Sequence, residues 1–521
     1  MEGKHCKLDL KHVPVSYVRK LISSLKNSRS TAIDELDNYS VKVAGPVITK
    51  PLHHIITLSL LQEKFPTSWK IAKVLPLHKK ESTLVRKNYR PVAILSPLSK
   101  ILEKIVYGQL YSYFSDNLIL HPNLHGYRKS RSTQTALLQM YDHWVEAAHQ
   151  GQISGAVLLD LSAAFDLVSP DILLKKLEIY GLESSFLTWI RSYMTERYQG
   201  VWVDHVLSSL LECDVGVPQG SNLGPLFFLL FVNDLPFILG CRMEQYADDS
   251  TLTATGATVE EINEKLEGSC RAVSNWMEEN KLKLNANKTH ILTLGTEERI
   301  SRPGNKVSIS MDSIDLEESV DKYEVLLGCY IQPNLKWQKQ ILELQNKLKK
   351  RIAGIAQLKF VLPYNLRKVV SEGLFNSVLG YCLPLFGGCN VADLKDLQIL
   401  QNRVAQIVTH SPRYANRNGM YDYLDWLTVN QLVRYFTLLA VFRIRISGEP
   451  EYLASCLTNS NRNGRIIVPF TRLTLYKNSF KIRGSCNWNV LPEAIRNVTK
   501  IGTFKKLIKA WIKVNVPRFL D

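Results

Sequence analysis

Residues Ala156-Val157-Leu158-Leu159 form an unbroken apolar run that ends in Asp160, and no other segment restricts the fold as much. Such a run reads as a central strand covered on both faces, so the chain must supply packing layers on either side. Open sheets place ligands at the carboxyl ends of their strands, which gives Asp160 a functional reading. A local reading competes with it. The following Leu161-Ser162-Ala163-Ala164-Phe165-Asp166 turns toward a helix that Asp171 to Leu177 continues, and Asp160 would then serve as its N-cap.

A second acidic feature lies downstream, at Tyr246-Ala247-Asp248-Asp249. Arg242-Met243-Glu244-Gln245-Tyr246 precedes the aspartates and Ser250-Thr251-Leu252-Thr253 follows, with the alternation and β-propensity of a hairpin. Both aspartates are expected at its bend. Adjacent carboxylates repel and raise each other's pKa, a cost that a divalent cation between them removes. The bland alternative is a solvated acidic turn. Taken with Asp160, the pair fits two-metal phosphoryl chemistry, in which carboxylates from separate strands converge on ions about 3.5 to 4 Å apart.

Further blocks then carry a family resemblance. Leu158-Leu159-Asp160-Leu161-Ser162-Ala163-Ala164-Phe165-Asp166, Gly216-Val217-Pro218-Gln219-Gly220-Ser221-Asn222-Leu223-Gly224-Pro225-Leu226 and Tyr246-Ala247-Asp248-Asp249 occur in the order of a polymerase palm. Upstream stand Asn88-Tyr89-Arg90-Pro91-Val92-Ala93-Ile94-Leu95 and His125-Gly126-Tyr127-Arg128-Lys129-Ser130-Arg131-Ser132-Thr133. Downstream stand Leu284-Asn285, Lys288-Thr289, Leu327-Gly328 and Leu335-Lys336-Trp337, then Ser479-Phe480-Lys481-Ile482-Arg483-Gly484, Trp488-Asn489, Leu491-Pro492 and Thr503-Phe504-Lys505. The ordered set resembles the reverse transcriptase of a non-LTR, LINE-class retrotransposon of the jockey-like kind, over nearly the whole chain. Two places depart from the pattern. Ala32 stands where the family usually has glycine, and Val168-Ser169-Pro170 replaces the usual valine, acid and histidine.

The resemblance implies an α+β right-hand polymerase fold with fingers, a palm built on an antiparallel sheet, a helical thumb and a helical C-terminal region. The expected boundaries are 1–50 for a helical extension, 51–150 for fingers, 151–340 for palm, 341–430 for thumb and 431–521 for a basic C-terminal region. The reverse transcriptase domain proper is expected at about 51–335, and too little chain precedes it for the endonuclease that full-length relatives carry.

The implied activity is RNA-directed DNA polymerisation, with an RNA template, a DNA primer and dNTPs as partners. Asp160, Asp248 and Asp249 would hold two Mg²⁺ ions, with Mn²⁺ as a substitute, and Lys288 would protonate pyrophosphate. Lys79 or Lys80, with Arg90, would grip the triphosphate, an arginine fork suiting that task. Phe165 would exclude a ribose 2′-hydroxyl, while Gln219 and Gly220 would meet nucleotide and template. Arg128, Tyr246, Gly328, Trp337, Lys347, Lys350 and Arg351 would contact template and primer. The alternative is a catalytically idle, domesticated nucleic-acid-binding protein. A maturase or telomerase-like enzyme is a third reading, against which the match from Ser479 to Lys506 argues.

Composition agrees with this direction. The 521 residues carry a net charge of +17, with basic blocks at Lys79-Lys80, Arg128-Lys129 with Arg131, Lys347 to Arg351 and Lys505-Lys506, and a polyanion is the natural partner. Nine cysteines show no zinc-site spacing, so no structural zinc is expected. The start lacks an apolar signal core, and Leu223 to Phe231 is shorter than the about 20 residues a bilayer demands. An intracellular ribonucleoprotein of nucleus and cytoplasm is expected, without membrane contact. Two amphipathic helices complete the reading. One runs from Thr258 to Lys281 with a Thr258/Glu261 capping box, and the other lies beyond Trp337 with Ile341, Leu344, Leu348, Ile352 and Ile355 inward.

Overall fold

A computed structural model describes residues 7–520 except 80–81, 163, 286–287, 312–313, 317, 319–321 and 459–463. The Lys80 assignment falls outside the described residues. The chain folds as two interleaved compact units, one of Met1–Tyr127, Asp160–Leu239 and Arg271–Asn285, the other of Arg128–Leu159, Gly240–Cys270 and Ala286–Asp521. Both units take up stretches far apart in the chain.

In chain order the strands used below are β1 (Ile71–His78), β2 (Tyr89–Ile94), β3 (Ile153–Ser162), β4 (Arg197–Val203), β5 (Val206–Leu207) and β6 (Leu211–Cys213). Next come β7 (Arg242–Tyr246), β8 (Asp249–Gly256), β9 (Lys283–Leu284) and β10 (His290–Leu294), then β11 (Glu324–Leu326) and β12 (Cys329–Ile331). The helices are α1 (Pro97–Asp116), α2 (Thr133–His149), α3 (Pro170–Ile179), α4 (Gly224–Phe231), α5 (Val259–Glu279) and α6 (Gln338–Gln357). They continue as α7 (Tyr364–Ser371), α8 (Val391–Thr409), α9 (Arg417–Leu424), α10 (Val429–Ser447) and α11 (Phe480–Asn489).

In the first unit the sheet runs β2-β1-β4-β5, with β6 also on β4. The β1 and β2 pair is antiparallel, whereas β4 lies parallel to β1 with Ile71 opposite Tyr198. That non-local pairing has no local signature, and β4 to β6 were not anticipated. Aromatic packing fixes the layer beside this sheet: Phe65 meets Trp69, Trp189 and Tyr193 edge-on, and Trp189 stacks on Tyr193 at 5.8 Å. The apolar α4, with Phe227, Phe228 and Phe231 buried, completes the layer as a core helix.

In the second unit the sheet order is β10-β3-β8-β7. The unbroken apolar run is thus a central strand, as expected, flanked by β10 and β8. Its residues Ala156, Val157 and Leu159 are buried. The N-cap reading of Asp160 does not hold, because β3 continues to Ser162 and α3 is preceded by Ser169 at the cap. Helix α5 buries Ile262, Leu266, Cys270, Val273 and Met277 on one face. Its capping box is half formed. Thr258 Oγ1 accepts from the Glu261 N–H at 3.4 Å, but the Glu261 carboxylate takes the Ala257 N–H instead of that of Thr258. Helix α6 buries the expected stripe of Ile341, Leu344, Leu348, Ile352 and Ile355 and leaves Lys347, Lys350 and Arg351 exposed.

Helix α2 ties the tail to this unit through buried polar groups. The Lys481 N–H donates to Asp142 Oδ2 at 3.1 Å, and Lys481 Nζ pairs with Glu146 at 3.0 Å. Burial pushes the Asp142 carboxyl up to about 7 against the pull of Lys481 and Arg483. An unfolded aspartate titrates near 4, so the folded state holds this proton more tightly. The stability it contributes is present at low pH and is lost as pH rises through about 7, at up to about 1.4 kcal/mol per pH unit. Asp142→Asn, which retains an acceptor for Lys481, is expected to flatten that decline when Tm is measured from pH 5 to 8. An unchanged slope would remove Asp142 as its source.

Candidate active site

In the first unit, Asp160 is held at the backbone by the Asn285 N–H, which donates to its carbonyl at 3.1 Å, and β9 pairs just beyond it with Leu161 opposite Leu284. A short 3-10 turn, Ala164–Leu167, then presents Phe165 and Asp166. The Phe165 ring stacks on Phe228 at 4.9 Å and meets Tyr127 edge-on at 6.0 Å, so its position is fixed from two sides. The loop after β6 is laced to this turn. The Val217 N–H donates to Phe165 O at 2.8 Å and the Gly216 N–H to Val168 O at 2.9 Å.

Gln219 Nε2 donates to Asp166 Oδ1 at 3.0 Å, and the Ala93 N–H donates to Gln219 O at 2.8 Å. Burial raises the Asp166 carboxyl, a shift that the Gln219 hydrogen bond opposes. Gly220 has φ +137°, and a Cβ there would lie 2.2 Å from Ala93 O. Only glycine lets the loop cross β2 this closely. Asp166, Gln219, Pro91 and Arg197 help line a cavity of about 480 Å³ in this unit. Arg90 is exposed on β2, and Lys79 is exposed beyond β1, its N–H donating to Asn88 O at 2.8 Å.

Glu103 and Arg197 were missed from sequence. Glu103, fully buried on α1, accepts from the Asn222 N–H at 2.6 Å and from Ser99 Oγ at 2.9 Å, anchoring the Pro218 to Asn222 loop from behind. Arg197 is buried with Nη1 donating to Tyr193 O at 3.0 Å. The only available signal was a charged residue within the apolar pattern of α1, Leu102-Glu103-Lys104-Ile105-Val106.

In the second unit, the predicted hairpin forms with Tyr246 opposite Asp249. The bend is Ala247-Asp248, with Ala247 at φ +58° and its carbonyl accepting from Gln245 Nε2 at 2.9 Å. Asp249 therefore opens β8 instead of sitting in the bend, and both carboxylates are exposed. Tyr246 packs half-buried against the core. Lys288 is exposed ahead of β10. Gly328 turns between β11 and β12 at φ +81°, where Tyr381 Oη donates to Leu327 O at 2.6 Å.

Two residues expected at the template or primer lie inside the fold. Trp337 is 6% exposed and lies 4.6 Å from Tyr141, so it belongs to the core. The Arg128 side chain is 10% exposed and faces Glu449 at 3.9 Å, next to the Arg131–Glu449 pair. Its guanidinium thus faces a carboxylate that it shares with Arg131.

Among the described residues no three His, Cys, Asp or Glu side chains gather closely enough to enclose a metal ion. The donor set still fits magnesium, which usually takes only one or two carboxylates and completes its shell with water and substrate phosphates. Exposed, all-oxygen Asp248 and Asp249 suit that mode.

Residues 77–347 match the family model for the reverse transcriptase (RNA-dependent DNA polymerase). The chain belongs to the reverse transcriptase family. It is similar to the probable RNA-directed DNA polymerase from transposon BS of Drosophila melanogaster, 26% identical over 84% of this chain and 49% of the relative. The RNA-directed DNA polymerase from mobile element jockey of the same species is 25% identical over 78% of this chain and 45% of the relative. That from the X-element is 21% identical over 86% and 49%. The jockey-like resemblance read from the motifs therefore stands, and the chain spans about half the length of these relatives. Reverse transcriptases have a fingers, palm and thumb architecture, which the mixed helices and antiparallel pairings fit, and they generally use divalent metal ions. Among the described residues no helix is long and apolar enough to cross a membrane.

Proposed function

We propose that this reverse transcriptase extends a DNA primer on an RNA template by two-metal nucleotidyl transfer. The observation that carries the reading is the β7–β8 hairpin, which holds the exposed carboxylates of Asp248 and Asp249 on neighbouring residues, in and just after its bend. Asp160, Asp248 and Asp249 would hold two Mg²⁺ ions, which when bound lower the pKa of the primer hydroxyl and stabilise charge on the leaving pyrophosphate.

The remaining roles belong to the chain's own groups. Residues 51–150 act as fingers, 151–340 as palm and 341–430 as thumb. Exposed Arg90 and Lys79 neutralise the triphosphate, and Lys288 supplies the pyrophosphate proton. Gln219, held by Asp166, presents a fixed amide to the nucleotide. Lys347, Lys350 and Arg351 lie on the exposed face of α6 and take phosphates of the template–primer duplex, with Gly328 and Tyr246 near the primer end. The basic charge also fits an idle binding protein, but such a role requires no carboxylate set.

The test is primer extension on an RNA template with dNTPs and Mg²⁺. Incorporation is expected, and its absence in a protein that binds template–primer would favour the idle reading. Binding should weaken by on the order of 10³ to 10⁵ between 50 and 200 mM salt for six to ten phosphate contacts, and a flat response would remove the basic-groove model. Phe165, clamped between Phe228 and Tyr127, should act as the sugar gate. Phe165→Val is expected to improve rNTP use relative to dNTP by about tenfold or more in single-nucleotide assays. An unchanged ratio would return Phe165 to a packing role.

A further inference from the structure

Within the second unit, exposed aromatic rings cluster where the α6 to α7 connection meets α8 and α9. Phe360 is 84% exposed, Tyr414 91% and Tyr423 63%. Phe360 lies 5.8 Å from His410 and Tyr364 lies 5.0 Å from Tyr423, and a cavity of about 430 Å³ is lined by Tyr364, Thr409, Ser411, Ala415, Asn416 and Tyr423 among others, with His410 and Tyr414 adjacent in the chain to lining residues. Aromatic faces left in water at this density mark an interaction site.

Charge indicates what the site takes. Arg413 and Arg417 are exposed on either side of Tyr414, and among the described residues neither is in an ion pair. Lys359 lies 5.3 Å above the Phe360 ring. The α9 carboxylates are paired, Asp422 with Arg518 and Asp425 with Lys509 at 2.6 Å, while Glu372 keeps its charge and accepts from Trp426 Nε1 at 2.9 Å, and Asp393 and Asp396 sit in the opposite, N-terminal half of α8. The patch is therefore cationic as well as aromatic. Hydroxyl and amide groups separate its rings, which interrupts the continuous apolar face that a lipid surface would need.

We infer that this surface is a second nucleic-acid site, which binds single-stranded RNA by stacking bases on Phe360, Tyr414 and Tyr423 while Arg413 and Arg417 take the phosphates. Aromatic rings interleaved with cations are how proteins hold single strands without reading sequence. RNA is the occupant because the proposed copying reaction brings a single-stranded RNA template to the protein, and the hydrogen-bonded Thr409–Ser411 hydroxyl pair lining the cavity keeps oxygen lone pairs that can accept from a ribose 2′-hydroxyl. The site extends the proposed RNA-copying function, on which it rests, by holding template that lies outside the duplex.

Fluorescence anisotropy on the full chain tests this, with a labelled single-stranded RNA of roughly 12 nucleotides, within the usual site size, and excess unlabelled template–primer duplex occupying the polymerase cleft. The Phe360→Ala/Tyr414→Ala double variant is expected to lose about 20-fold or more in RNA affinity, with Tm and primer extension on a short template unchanged. Arg413→Gln/Arg417→Gln should lower the magnitude of the salt slope by about two. RNA affinity within twofold of the parent in both variants would overturn the proposal. So would equal binding of single-stranded DNA of the same sequence, or a loss confined to phosphatidylserine vesicles. A parent chain that fails to extend primer, yet binds RNA in a manner sensitive to these variants, would sink the polymerase reading alone.

Discussion

Replacing Asp248 with alanine is expected to abolish nucleotide incorporation while leaving template–primer affinity nearly unchanged. Asp248 is exposed in the bend of the β7–β8 hairpin, so its side chain contributes little to folding and the variant should keep its Tm. Its value lies in the charge it offers an ion. Losing several kcal/mol of transition-state stabilisation corresponds to a rate fall on the order of 10³-fold or more. Single-turnover extension on an RNA template reads this directly. A fall of less than tenfold would mean that Asp248 holds no catalytic ion, and the acidic pair would revert to a solvated turn. Because magnesium usually takes only one or two protein carboxylates and completes its shell with substrate phosphates, Mg²⁺ should bind far more tightly once dNTP is present.

Replacing Gly220 with alanine should be almost as damaging, by a different route. An added Cβ would lie 2.2 Å from the Ala93 carbonyl oxygen, and the backbone at φ +137° is one that residues with side chains rarely adopt. The loop must move, and the Ala93 to Gln219 hydrogen bond across it must stretch or break. A strained conformation of this kind costs about 1–3 kcal/mol even before the clash is relieved. Displaced Gln219 would then cost about 100-fold in kcat/KM for dNTP, with most of the change in KM. Normal kinetics in this variant would show that the loop tolerates movement and that Gln219 does not touch the nucleotide.

The sequence was most legible where chemistry and local pattern coincide. The apolar run before Asp160 reads as a covered strand, and the alternation around Asp248 fits a hairpin, and both form. The stripe of Ile341, Leu344, Leu348, Ile352 and Ile355 specified one helix face. What escaped was set by distant partners. Glu449 lies more than 300 positions from Arg128, so nothing near Arg128 indicates that its guanidinium faces a carboxylate. Trp337 stands beside Lys336 and looked like a nucleic-acid contact, yet Tyr141 claims its ring. The parallel pairing of β4 with β1 has no local trace, and the role of Glu103 depends on Asn222 across a loop. The bend shifted by one residue because Ala247, not Asp249, takes the left-handed position.

The interleaving of the two compact units bears on how the chain is made. The first unit needs Arg271–Asn285 and the second draws on everything from Ala286 to the last residues, so neither is contiguous. On the ribosome, β3 must therefore wait unpaired until β8 and then β10 emerge, exposing an apolar strand during synthesis. A nascent chain halted before about residue 294 would lack the outer neighbour of that strand. The finished sheet is thus assembled late, and an incomplete copy of this protein should be both inactive and prone to aggregate.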